Sequence, residues 1–353
     1  MTEVHLVVPD AIDDPARPSG GNTYDRRVAE GLAALGWTVH EHAVSVAALP
    51  HTVRELPDGA TVLVDGLIAS PAPDALVPHA RRLRQVVLMH MPLGDRTPAA
   101  REVEHEVLSA ASAVVTTSDW TRRRLEELYA LQAYVARPGV DAADLAAGTV
   151  AGDALLCVAP VIPDKGHDVL LYALAAVEAP WRCTFVGSLA RDPAFAGEMR
   201  RRAEGRVHFA GPLTGSALER AYAAADLLVL PSHAETYGMV VTEALARGTP
   251  VIASDVGGVS EALGHGRNGT RPGLLVPPGD PAALAAALRA WLGDAGLRQR
   301  LRRAARERRE TLRGWPATTS VIAGVLGSVR SAKRSHRRDG HAPAKPVAHM
   351  ERL

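Results

Sequence analysis

Residues 226–250 read DLLVLPSHAETYGMVVTEALARGTP. Asp226–Leu230 is a short apolar run of strand length, and Pro231–Tyr237 is a polar loop. A helix starts near Gly238 and is stopped by Gly248 followed by Pro250. The apolar run Val251–Ala253 comes next, so this stretch is a strand–helix–strand unit. Such units build parallel sheets with right-handed crossovers.

The same rhythm extends in both directions. Strand-like runs on the N-terminal side are Val4–Val8, Thr38–His42, Thr61–Val64, Val86–His90, Ala113–Thr117 and Tyr134–Ala136. Helical patterns lie between them at about 22–35, 74–84, 99–111 and 119–130. A second series runs through Leu155–Ala159, Cys183–Val186, Val207–Ala210, Leu227–Leu230, Val251–Ala253 and Gly273–Val276. The expected fold is α/β, with two Rossmann-like doubly wound domains facing a central cleft. The boundary falls in the Ala-, Gly- and Asp-rich stretch Asp141–Asp153. This assigns 1–145 to an N-terminal domain and 146–313 to a C-terminal one. An Arg-rich helix spans 294–313, an apolar helix spans 314–329, and 330–353 reads as a basic, disordered tail.

The 226–250 stretch also carries chemistry. Glu235 lies at the carboxyl edge of a strand, where open α/β sheets bind ligands. Glu243 follows eight positions later, inside the helix. The unpaired amides of Gly238, Met239 and Val240 face any anion in front of that helix. Carboxylates accept hydrogen bonds from sugar and ribose hydroxyls. Each glutamate alone is best read as surface charge; with the glycine and the helix start they read as a site for a phosphate flanked by sugars. Lys165, in Pro163-Asp164-Lys165-Gly166, is the only lysine before residue 333 and follows a strand. Ser19-Gly20-Gly21-Asn22-Thr23 serves equally well as a ligand loop around Gly21 or as an ordinary helix cap. His90 ends a strand at the ligand edge, and a locally satisfied histidine explains it as well as a ligand does.

Length and composition set limits. With 353 residues, 47% hydrophobic and 22% charged, the chain is globular and of two-domain size. No apolar run reaches membrane-spanning length, and MTEVHLVVPD lacks the layout of a signal peptide, so a cytoplasmic protein is expected. Residues 298–313 carry a net +6 and 330–353 a net +5, against +1 overall, which leaves an acidic body. That argues against nucleic acid as a partner. The basic end could touch an acidic membrane surface peripherally, but Leu297, Leu301 and Leu312 offer little apolar face for insertion. Cys157 and Cys183 read as packed thiols, and no cluster has metal-ligand spacing. At the first strand–helix turn, Ser19–Thr23, neither GxGxxG nor GxxxxGK[ST] occurs.

In order along the chain, these stretches resemble glycosyltransferase family 4, retaining enzymes of the GT-B fold. The resemblance covers about residues 3–330. It is carried by GGNTYDRRVAEGLAALGWTV, TTSDWTRRRLEEL, RPGVD, the Glu235–Glu243 pair, GTPVIASDVGGVSEAL and GLLVPPGDPAALAAAL. It implies metal-independent transfer, with retained configuration, of a sugar from a nucleotide diphosphate-sugar. That donor is a co-substrate, so no cofactor is expected. The acceptor is a hydroxyl of a small or lipid-linked molecule. Glu243 would hold the ribose, Glu235 the donor sugar near its reacting carbon, Lys165 the diphosphate, and His90 the sugar. Gly21 would let its loop approach the phosphate or the acceptor, and the 314–329 helix would cross back onto the first domain. Two departures stand out. Pro160 replaces the family's second diphosphate-binding cation, an arginine, and Pro138 replaces an asparagine. A nucleotide-sugar epimerase, a cyclitol-coupling transferase and a catalytically weak nucleotide-binding module are the alternatives.

Overall fold

A computed structural model describes residues 2–203 and 205–335, with no side-chain account for 332–335. The first sheet contains β1 (Thr2–Pro9), β2 (Trp37–Val44), β3 (Thr61–Asp65), β4 (Arg84–Met89), β5 (Ala113–Thr116) and β6 (Tyr134–Val135). The second contains β7 (Ala154–Val158), β8 (Arg182–Val186), β9 (Val207–Gly211), β10 (Leu227–Leu230), β11 (Val251–Ser254) and β12 (Gly273–Val276). Every pairing is parallel, in the orders β2-β1-β3-β4-β5-β6 and β12-β11-β10-β7-β8-β9. Central strands such as TVLVD and LLVL are buried along their whole length because helices cover both faces of each sheet. The edge strand β2, WTVHEHAV, instead exposes Thr38, His40 and Glu41.

Each sheet reverses its winding once: β1 and β3 flank the reversal in the first sheet, β7 and β10 in the second. Loops leaving such a pair diverge and open a crevice at the carboxyl edge.

The long helix Trp315–Ser335 returns to the first sheet. Trp315, Ile322, Val325 and Leu326 are buried with Val4, Leu6, Tyr24 and Val28. It crosses the helix Gly20–Ala34 at Gly31, where a Cβ would overlap the Thr319 hydroxyl. Glycine at 31 is therefore a packing requirement of the crossing.

Three sequence expectations need correction. The pattern at 74–84 forms only the turn of helix Pro73–Leu76 and a 3₁₀ turn, Val77–His79. Pro78 has no amide to donate and prevents extension. The last helix runs on through Ser335, so 330–335 are helical where a disordered tail was expected. The rest of that expected tail lies outside the described residues. Short helices at Leu49–Glu55 and Gly66–Ala69 were not anticipated. Among the described residues no helix is long and apolar enough to cross a membrane.

A cavity of about 570 Å³, lined by Glu3, His5, Asp58, Arg84 and Arg330, opens at the amino ends of β1, β3 and β4. It lies at the edge of the first sheet opposite to the one where α/β folds assemble sites.

Candidate active site at the carboxyl edges of the two sheets

At the winding reversal of the second sheet, β7 leads to Lys165 and β10 leads to the Pro231–Gly238 loop. The ammonium of Lys165 donates to Glu235 Oε1 at 2.7 Å, and Ser232 Oγ donates to the same oxygen at 2.9 Å. The His233 amide donates to the Asp164 carbonyl at 2.9 Å, which ties the two loops together. Behind Glu235, Gly257 (φ +55°) lies so close that a Cβ would overlap the Glu235 carbonyl oxygen. The Gly258 amide donates to that carbonyl at 3.2 Å. The Gly257–Gly258 turn thus seats the backbone of Glu235, and the Lys165 and Ser232 bonds aim its carboxylate.

The helix Met239–Ala246 begins after Gly238, at φ +90°. Among the described residues the amides of Gly238, Met239 and Val240 make no hydrogen bond within the protein, so the helix start is available to an anion. Glu243 lies further along this helix and is half-buried. The Tyr222 hydroxyl donates to its Oε2 at 2.6 Å, and the Arg247 guanidinium stacks over the Tyr222 ring at 4.6 Å. Burial raises the pKa of Glu243, with the Tyr222 bond working the other way. Its Oε1 makes no hydrogen bond among the described residues and is available as an acceptor.

The first lobe contributes the ends of β3 and β4. His90 directs Nε2 at Asp25 Oδ1, 2.8 Å away, and lies 3.7 Å from Asp65 Oδ2. Its ring meets Tyr24 edge-on with centroids 5.2 Å apart. Gly21 sits over the same ring: a Cβ there would be 3.6 Å from Cδ2, an ordinary contact. Nothing in the protein's own packing therefore demands glycine at 21. Ser19 caps this helix by accepting from the Asn22 amide at 3.1 Å, so the loop's helix-cap role is present in the structure.

The two carboxyl edges face each other. Met239 packs against buried clusters of both lobes, and a Cβ on Gly20 would be 3.4 Å from its sulfur. Ser118 Oγ donates to the Thr236 carbonyl at 2.6 Å. Glu261 accepts from the Asp119 amide at 2.9 Å and from Arg137 Nε at 2.5 Å. A carboxylate of the second lobe thus caps a helix of the first, Asp119–Tyr129.

The structure brings Lys165 against Glu235, places Met239 and Val240 in the first turn after Gly238, and seats Glu243 on that helix. It places Gly21 over His90. Pro160 lies in the turn after β7 and offers no charge. Sequence reasoning missed Asp25, Asp65, Ser118, Ser232 and Tyr222. Asp25 had a readable signal, since it stands one helical turn after Gly21 and so shares its face. Ser118 and Tyr222 had none, because their partners lie in elements distant in sequence. The three buried ligand atoms of Asp25, Asp65 and His90 form the only metal-compatible group among the described residues. Cys157 and Cys183 are buried and free, as the strand pattern implied.

Residues 152–294 match the family model described as glycosyl transferases group 1. The D-inositol 3-phosphate glycosyltransferase of Jonesia denitrificans is 34% identical over 265 residues, covering 67% of this chain and 61% of that protein. The enzyme of the same name from Kineococcus radiotolerans is 35% identical over 261 residues, covering 65% and 60%. The chain thus spans about three fifths of the length of these curated relatives. Among solved structures, sucrose-phosphate synthase from Thermosynechococcus elongatus superposes with a TM-score of 0.77 at 23% identity, covering 94% of this chain and 100% of that one. Anabaena HepE in complex with UDP-glucose superposes at 0.74 and 19% identity, covering 93% and 100%. Two parallel six-stranded sheets meeting at their carboxyl edges are the GT-B architecture, and the chain belongs to the group 1 glycosyltransferases of the family 4 type.

Proposed function

We propose that the protein transfers a sugar from a nucleotide diphosphate-sugar to a hydroxyl acceptor, with retained anomeric configuration and without a metal ion. The observation that carries this reading is the Lys165–Glu235 pair, held beside the free amides at the start of the Met239 helix. One ammonium and a helix tip suit a diphosphate, and the carboxylates of Glu235 and Glu243 suit the hydroxyls of the sugar and ribose on either side.

In the reaction, the bond from the anomeric carbon to the diphosphate oxygen breaks, and the acceptor oxygen bonds to that carbon on the same face. The acceptor's proton passes to the departing phosphate oxygen, so no separate base is needed. Lys165 and the helix amides stabilise the charge that grows on the leaving diphosphate, an effect that needs the groups fixed in advance. Ser232 and Gly257 provide that fixity for Glu235. Lobe contacts such as Ser118–Thr236 exclude water from a donor seated between them.

The solved neighbour that holds UDP-glucose makes this the first donor to test. The name of the curated relatives makes D-inositol 3-phosphate a first acceptor. A thermal-shift panel of UDP, GDP, ADP and dTDP tests the reading, because a ligand that binds the folded state raises the melting temperature. No shift with any of the four would overturn it. Product analysis distinguishes transfer from epimerisation, which needs no acceptor.

A further inference from the structure

The first-lobe side of the cleft contains a buried charged group that the reading above does not use. Asp25 is 0% exposed, and its Oδ1 accepts from His90 Nε2 at 2.8 Å. Its Oδ2 is buried without a hydrogen-bond partner. Asp65, 2% exposed at the end of β3, brings a second carboxylate to 3.7 Å from the same nitrogen. The other titratable group on the ring is Tyr24, whose hydroxyl is committed to the Ala136 carbonyl at 2.7 Å. Burial holds that phenol un-ionised. Burial pushes the Asp65 carboxyl up to about 7, and an ionised carboxylate buried here without a cation would be costly to fold.

Orientation follows from the same contacts. A Cβ on Gly21 would lie nearest Cδ2 of the ring, then Cγ and Nε2, so Nδ1 is on the far side. Nδ1 makes no hydrogen bond among the described residues and is not among the enclosed, unpartnered nitrogens. It is therefore the ring atom open to a ligand. Its character depends on charge: in a neutral ring with the proton on Nε2 it only accepts, and in the imidazolium it donates.

We propose that Asp25 is a positioning residue for His90: it turns Nε2 inward and holds the ring as an imidazolium, so that Nδ1–H donates to an oxygen of the bound donor. This deepens the glycosyl-transfer reading and rests on it. Donor-sugar hydroxyls and phosphate oxygens accept hydrogen bonds, and phosphate oxygens do nothing else. A neutral histidine there would oppose a phosphate oxygen with a lone pair. Contacts from His90 to Gly21 and from Gly20 to Met239 link this ring to the helix start where the diphosphate is placed. The geometry agrees with the electrostatics: burial opposes the charge, but Asp25 and Asp65 outweigh it and push the histidine up to about 9.

The test uses the full chain labelled with ¹⁵N, with His90 assigned by the loss of its imidazole signal in H90Q. In the wild type both ring nitrogens are expected to stay protonated to about pH 9. In D25N the ring should titrate near the ordinary value of about 6.5. With UDP-glucose as donor, D25N should lose about 10–100-fold in kcat at pH 8, the effect of one hydrogen bond to a charged group. It should regain activity toward pH 5.5, as the imidazolium reforms, and a purely structural defect would show no such recovery. A neutral wild-type ring at pH 7, or an unchanged ring in D25N, overturns the proposal. So does a spectrum that changes between EDTA-treated and Zn²⁺-loaded protein, which would mean that a metal replaces the Nε2 proton. A wild type that binds no nucleoside diphosphate overturns the donor-site reading itself. One that binds UDP but holds His90 neutral overturns this proposal alone.

Discussion

Lys165 Nζ and Glu235 Oε1 lie 2.7 Å apart although 70 residues separate them. Strands β7 and β10 are neighbours in the second sheet, and the loops leaving them bring the pair together. Only one lysine precedes residue 333, and it is spent on this contact. With Pro160 uncharged, Lys165 is the one side-chain cation that the family resemblance implies for the diphosphate.

K165A should lower kcat by about 100-fold or more, the usual cost of removing one donor to a developing anion. The melting temperature should change little, because a partly exposed ion pair adds little stability. Steady-state kinetics with UDP-glucose and a thermal melt check both. Unchanged kcat would remove Lys165 from the diphosphate site.

Glu243 should act in binding. E243A is expected to raise the dissociation constant for UDP by about 10–100-fold, equivalent to one charge-assisted hydrogen bond, with a smaller effect on kcat. Y222F should reproduce part of the loss, since it frees the carboxylate from the 2.6 Å bond that orients it. Calorimetric titration with UDP reads both variants, and equal affinity in E243A would contradict the ribose assignment.

The Gly31 crossing predicts a stability effect remote from the site. G31A places a methyl group against Thr319 and should cost about 1–3 kcal/mol through overpacking. T319A removes the opposing hydroxyl and methyl and should recover part of that loss in the double variant. Urea unfolding measures the cycle, and additive effects would show that the two helices do not meet as described.

Acid sensitivity follows from His167, which is buried beside Phe185 with centroids 4.9 Å apart. Burial, aided by the charge of Lys165, lowers its pKa from 6.5 to about 4. A histidine depressed by folding adds stability that is complete above about pH 6.5 and is lost as pH falls toward 4. The loss amounts to roughly 3 kcal/mol. H167F should flatten the wild-type decline between pH 7 and pH 4.5 in urea midpoints. An equally steep decline in H167F would assign the sensitivity to other groups.

Much of this architecture was legible along the chain. All twelve strands fall on runs that the chain marks out, and central ones such as β3 and β10 are apolar throughout because helices bury both their faces. The glycine-punctuated loops marked the carboxyl edges, since a turn next to a ligand or a tight backbone needs glycine. The run at 74–84 misled because its apolar spacing is helical, while Pro78 limits the helix locally.

Sequence by itself determined the strand–helix alternation, the two series, and the glutamate pair with its helix start. These depend on periodicity and on backbone limits acting over a few residues. Only the tertiary structure decided which side chains share a charge: Lys165 with Glu235, Asp25 and Asp65 with His90, and Glu261 with Arg137 and the Asp119 helix. Such pairings depend on strand order and on how the two lobes meet. Coulombic and hydrogen-bond energies act through distance in space, and chain separation does not report that distance.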